Sequence, residues 1–153
     1  MENLFEKQGV NTTIDRLNNL TPQTERKWGK MTPAQMLAHC NVAYSLVYNA
    51  DEYMHEKPKG FKKLILKLLV KGIVVGEKPY SKNGRTAPEF LINSAKDFET
   101  EKAKMIENLN KTYELGAAHF EGKESHSFGK LSVTEWNNTF YKHLEHHLNQ
   151  FGV

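Results

Sequence analysis

Apolar residues recur at helical spacing along most of this chain, most sharply near its C-terminal end. Advancing about 100° per residue places Val133, Trp136, Asn137, Phe140, Leu144, Leu148 and Phe151 on one broad face. Ser132 and Glu135 have the spacing of a capping box and Gly152 is a natural stop, so a helix is predicted between them. His143 and His147 fall at the edge of that face, one turn apart. His146 falls with Glu135, Thr139 and Lys142 on the opposite side, toward water.

Three further helices follow from the same patterning. Residues 2 to 20 read as the first, with a break near Gly9, a second cap at Asn11, and Ile14, Leu17 and Leu20 facing inward; Thr21-Pro22 ends it. Thr32, Pro33 and Gln35 form the next start, as N-cap, first helical residue and third residue of a capping box. That helix is expected to reach about Ala50, with Met36, Cys40, Ala43, Leu46, Val47 and Ala50 in one arc and His39 inside it. The last begins at Pro88 and runs to Leu115-Gly116. Leu91, Ala95, Phe98, Lys102, Met105, Leu109 and Tyr113 repeat along it near the 3.5-residue spacing of bundle packing. Lys102 interrupts the stripe and reads as a lysine laying its stem along the seam.

Between these helices, residues 51 to 87 form a long connection rich in Gly and Pro. Within it Phe61–Lys71 is basic and amphipathic, which suits either a membrane-surface or partner helix or a crossover helix packed on the bundle with its lysines in water. The crossover reading is the one adopted. Residues 116 to 131, with His119 and His126, read as loop. Without convincing strands or internal repeats, the pattern predicts one all-α domain over 1–153, a four-helix bundle with a long crossover between helices 2 and 3.

Composition narrows the function classes. A length of 153 residues suits one domain with a real core. The net charge of +3, without an aromatic-basic stacking pattern, gives no reason to expect nucleic acid. Cys40 is the single cysteine, which excludes an internal disulfide and suits a reducing compartment. The N-terminus has no signal-peptide pattern, and no apolar run approaches the roughly 20 residues of a membrane span. A cytoplasmic protein acting on a small molecule, without nucleic acid or membrane, is expected.

Histidines carry the candidate chemistry. His39, His143 and His147 each have two readings: a core histidine satisfied by a hydrogen bond, or a metal ligand. Three neutral imidazoles with one vertex free would suit zinc, nickel or another divalent transition metal. Spacing alone leaves open whether the two helices bring them together. Gln150 lies near the edge of the His-bearing face, where it could orient a ligand or close the chain end. Gln35 could reach a ligand but is explained by capping, and His126 could close over the site from its loop. Glu145 reads as an outer-face carboxylate paired with a lysine, and Cys40 as a small buried apolar residue.

Two stretches carry a family resemblance. Trp28-Gly-Lys-Met-Thr-Pro-Ala-Gln-Met-Leu-Ala-His39 and Phe128-Gly-Lys-Leu-Ser with Tyr141-Lys-His-Leu-Glu-His-His-Leu-Asn-Gln-Phe-Gly152 resemble the DinB/YfiT-like superfamily. The nearest branch is the one whose chains end in His-Leu-x-His-His-Leu-x-Gln-Phe-Gly. The likeness extends through Lys78-Pro79, Asn83 and Pro88-Glu89-Phe90 and covers nearly the whole chain. It implies a four-helix bundle holding a metal on one histidine of helix 2 and two of helix 4, here His39, His143 and His147. It also implies chemistry akin to thiol-dependent S-transferases and a maleylpyruvate isomerase, with a low-molecular-weight thiol as cosubstrate. The branch itself brings no reaction with it. Two functions are therefore expected to compete: a metal-dependent transferase or hydrolase, and a non-catalytic metal-binding or stress-related bundle working as a homodimer.

Overall fold

The computed structural model describes residues 1–53 and 57–153. Six α-helices dominate it: α1 (Lys7–Asn18), α2 (Pro33–Tyr48), α3 (Gly60–Ile65), α4 (Lys71–Val75), α5 (Phe98–Phe120) and α6 (Val133–Phe151). A π-helical turn, Leu66–Val70, joins α3 to α4, and a 3-10 turn at Pro88–Phe90 precedes α5. Among the described residues, no helix is long and apolar enough to cross a membrane.

Helix α2 is the spine. From Pro33 to Tyr44 every residue but Gln35 is buried, as befits a helix covered on all sides. Both bonds of the Thr32–Gln35 capping box form. The helix stops at Tyr48, so Ala50 lies outside it and is exposed, and Leu46 and Val47 are half-buried. α2 packs on α5 and α6, and α5 also meets α1 and α6. Leu17, Met36, Leu37, Met105, Leu109, Phe120, Trp136, Phe140, Leu144 and Leu148 form the shared core. Its aromatic centre is Tyr44 stacked on Phe140, ring centroids 4.6 Å apart. A polar pair sets the register of α2 on α5. The Asn41 amide donates to the Glu101 backbone carbonyl and to its carboxylate, and accepts from Asn108 at 3.0 Å.

Two helix boundaries differ from expectation. α1 begins at Lys7, not residue 2, and runs unbroken through Gly9 and Asn11. Gly9 does not break the helix because it serves as a contact point: a Cβ there would collide with the Asn3 carbonyl, which folds back against it. Asn137 of α6 ties that N-terminal segment down, accepting from Leu4 N–H and donating to the Glu2 carbonyl. α5 begins at Phe98, ten residues beyond Pro88, because Asp97 caps it by accepting from Thr100 N–H at 2.8 Å. Leu91 and Ala95 are thus outside the helix and exposed, and the inward stripe uses Asn108 and Thr112 where Tyr113 was expected. Gly116 adopts φ 71° and kinks α5, which resumes to Phe120. Lys102 is half-buried with its Nζ 5.7 Å from the Phe98 ring, consistent with a stem laid along the seam. The expected loop after α5 contains a small antiparallel hairpin, β1 (Glu124–Ser125) with β2 (Gly129–Lys130).

α6 has its predicted bounds, with both capping-box bonds formed and Gly152 left-handed. Its polar face is not solvated as expected. Lys142 is buried, donating to the Ile73 carbonyl at 2.7 Å and to the Gly76 carbonyl, while Asn138 donates to the Val75 carbonyl at 2.8 Å. A cation here satisfies the orphan carbonyls at the C-terminal end of α4 and complements its dipole. α4 therefore covers the face that periodicity assigned to water.

Candidate metal centre

The i, i+4 spacing within α6 stacks His143 and His147 one turn apart, and the burial of α2 turns His39 toward them. The three rings form a near-equilateral triangle, with centroids 4.8 Å (His39–His143), 4.7 Å (His39–His147) and 5.0 Å (His143–His147) apart. One donor atom from each lies within 4.8 Å of the others, so the group could hold a metal ion. His39 Nε2 and His143 Nε2 are the nearest pair, 2.8 Å apart.

Hydrogen bonds fix which nitrogen is free. The Phe90 carbonyl can only accept, so His39 must donate to it through Nδ1–H, at 2.8 Å, leaving the Nε2 lone pair for a ligand role. His147 is held by a relay. The Gln150 amide nitrogen donates to the Trp28 carbonyl at 2.7 Å, which turns its oxygen toward His147. That oxygen accepts from His147 Nδ1–H, also at 2.7 Å. Metal-ligating histidines are characteristically oriented by such outer partners. Gly29 makes room for the relay: its φ is +79°, and a Cβ would collide with the Gln150 amide nitrogen.

Burial holds the rings neutral. His39 and His147 are almost wholly enclosed. Desolvation is the main cause in each case: it lowers His39, takes His143 well below the usual histidine range, and lowers His147 to about 3, with neighbouring histidines adding repulsion. Neutral imidazoles are the form that binds metal. Three nitrogen donors fit the borderline-soft divalent transition metals.

The surroundings are aromatic. Phe90 stands edge-on to His39 and His143, with centroids 5.5 Å and 5.6 Å away. Tyr80 is edge-on to His143 and His146, at 6.3 Å and 5.8 Å. A cleft of about 500 Å³ lies alongside, lined by Trp28, Tyr80, Lys82, Lys142, Glu145 and His146 among others. His146, placed by periodicity on the wet side, is half-buried between Trp28 and Tyr80, 5.0 Å from the His147 ring.

Residues 4–152 match the family described as Protein of unknown function (DUF1569). The chain belongs to the DUF1569 family. No curated protein and no solved structure matches it.

In this DUF1569 chain the remaining candidates are placed as follows. Gln150 contacts a cluster histidine directly. Gln35 does not: its side chain is committed to the Thr32 N–H and the Ser94 carbonyl. His126 bonds Ser127 and the Tyr53 carbonyl from its place in the hairpin turn, so its ring is engaged away from the cluster. Glu145 pairs with Arg16 at 3.5 Å and not with a lysine. Cys40 is buried against Met36 Sδ, and burial pushes its thiol far above the normal range, so it is unsuited to act as a nucleophile or ligand. Phe90 and Trp28 contribute their backbone carbonyls to the histidine and glutamine contacts, which carry no residue-type signal, whereas Gly29 is required as a glycine. His146 and Tyr80 had a signal only in being polar or aromatic beside the His-bearing helix.

Proposed function

We propose that the chain is a metal-dependent enzyme whose divalent cation, zinc or nickel, is held by His39, His143 and His147. The observation that carries this reading is the pair of Nδ1–H donations, His39 to Phe90 and His147 to Gln150, which aim two lone pairs into one buried triangle. A core histidine needs a single satisfying bond; three rings pooled at one point, two of them aimed from behind, suit coordination better. The cluster offers three donors among the described residues, the number that leaves a vertex for water or substrate.

A bound cation would lower the pKa of its water toward about 7 or take a thiolate. The protein's own part is to exclude water and orient. Phe90 and Tyr80 wall the site, while Trp28, Lys82 and His146 line the neighbouring cleft, where a small molecule would be held. Thiol-dependent group transfer or hydrolysis is the chemistry proposed for such a centre. The DinB-like reading belongs with it: α1, α2, α5 and α6 as the four bundle helices, residues 49–97 as the crossover. The contacts of α2 with α5 and α6, and of α5 with α1 and α6, support that arrangement.

Elemental analysis of untagged protein is the first test, with near-stoichiometric zinc or nickel expected, lost in His147→Ala. Full metal content in that variant would end the proposal. Incubation with a low-molecular-weight thiol and an electrophile, followed by mass spectrometry for a thioether, separates transfer from hydrolysis.

A further inference from the structure

The segment from Lys57 to Gly76 contains six lysines and no acidic residue. A basic amphipathic helix that merely bridges two core helices would turn its apolar side inward and its lysines to water. Only part of that is found: Leu66, Val70 and Val74 are half-buried and Val75 is buried, while the larger apolar side chains face out. Lys63 pairs with Glu124 of β1 at 3.1 Å and Lys71 with Glu135 of α6 at 2.7 Å, so two of the six lysines turn to the rest of the molecule. Phe61, Leu64, Ile65, Leu68, Leu69 and Ile73 point away. Phe61, Leu68 and Leu69 are 76%, 71% and 69% exposed.

Leaving these six side chains in water forfeits transfer free energy that covering them would recover. The ion pairs and the grip of Asn138 and Lys142 on the last carbonyls of α4 hold the segment in this orientation. An apolar face held outward in this way is an interaction surface.

We propose that the outward face of Phe61–Ile73 docks on an anionic lipid surface. Charge decides between the occupants. Exposed Lys59 and Lys62 flank the apolar residues on a segment without a carboxylate, complementing phosphate headgroups. A second copy laid on the same patch would bring two segments of six lysines each together, with no acid on either to receive them. The crossover reading put the apolar side of this segment against the bundle, whereas six of its large apolar side chains are exposed. The segment lies flat and does not span: Phe, Leu and Ile side chains enter the headgroup–acyl boundary while the lysines stay at the phosphates.

The test is co-sedimentation of the full chain with vesicles of pure phosphatidylcholine and of phosphatidylcholine mixed with phosphatidylglycerol. Binding to the mixed vesicles only, weakened by salt, is expected. Leu68→Ser/Leu69→Ser should reduce it by at least about tenfold, since two buried leucines are lost, and Lys59→Glu/Lys62→Glu by about tenfold or more. Both sets lie on the exposed side, away from the histidines, so metal content and circular dichroism should be unchanged. Equal binding to neutral vesicles, or none to either, overturns the proposal. So does a dimer, seen by light scattering, that Leu68→Ser/Leu69→Ser splits, because the face would then belong to a second copy.

Discussion

Gln150 and His147, one turn apart on α6, share a 2.7 Å hydrogen bond in which the ring donates, and that bond leaves the ring's other nitrogen as its only lone pair. Gln150→Ala frees the ring to rotate and to change tautomer. Metal affinity should fall about 10–100-fold, the cost of losing an outer partner, with the fold intact. Isothermal titration of the apo protein with zinc reads this directly. Unchanged affinity would mean that the bond only closes the end of the helix.

The same effect should come from a residue that never touches the histidines. Gly29→Ala places a methyl where the Gln150 amide nitrogen sits and strains a left-handed backbone. Zinc affinity should drop toward the Gln150→Ala value, and the double variant should be no worse than the worse single one. Additive losses would show that Gly29 acts by another route.

Chelation and reloading should move thermal stability. A ligand that binds only the folded state contributes about 2.7 kcal/mol at a hundred times its Kd, and about 2–4 °C per kcal/mol applies at this length. A rise of roughly 5–10 °C on adding zinc to the apo protein is expected, measured by differential scanning calorimetry. The rise should vanish in His143→Ala.

Without metal, acid should destabilise the fold early. The buried rings bind protons less readily folded than unfolded, His147 titrating at about 3 in the fold against about 6.5 in an open chain. Their contribution is thus complete above about pH 6.5 and is lost as pH falls from there toward about 3. The urea midpoint of chelated protein should drop between about pH 7 and about pH 5, and less so in His147→Gln. A midpoint flat across that window would show the rings to be better hydrated than their burial implies.

Tyr44 presents a different case. Its hydroxyl is buried with no partner among the described residues, while its ring stacks on Phe140. Tyr44→Phe keeps the stacking and removes an unsatisfied group, so stability should be equal or higher by about 1 kcal/mol. A loss on that scale in urea melts would point to a partner for the hydroxyl.

Much of this was readable in the residues. Both capping boxes, the left-handed Gly152 and the inward faces of α2 and α6 follow from local pattern, and the convergence of His39 with His143 and His147 was anticipated by the wheels and the resemblance together. Three things were not readable. A wheel treats each helix as having one wet side, so it placed Lys142 and His146 in water, when α4 and Tyr80 cover them. Pro88 resembles a helix start, yet Asp97 caps better, and the intervening residues are released to bring the Phe90 carbonyl to His39. Amphipathicity shows that Phe61–Lys71 has two sides without saying which one the helical body takes.

Phe90 lends His39 a main-chain oxygen, so no point substitution at position 90 deletes the acceptor, whereas cutting the segment that carries it would let it move away. One protease nick between Gly76 and Asp97 would leave α1, α2, α5 and α6 whole and their core packed while releasing the tether behind the first ligand. Any metal held by the three histidines should then be lost from a molecule that still looks helical, so the connection's continuity would report on the site.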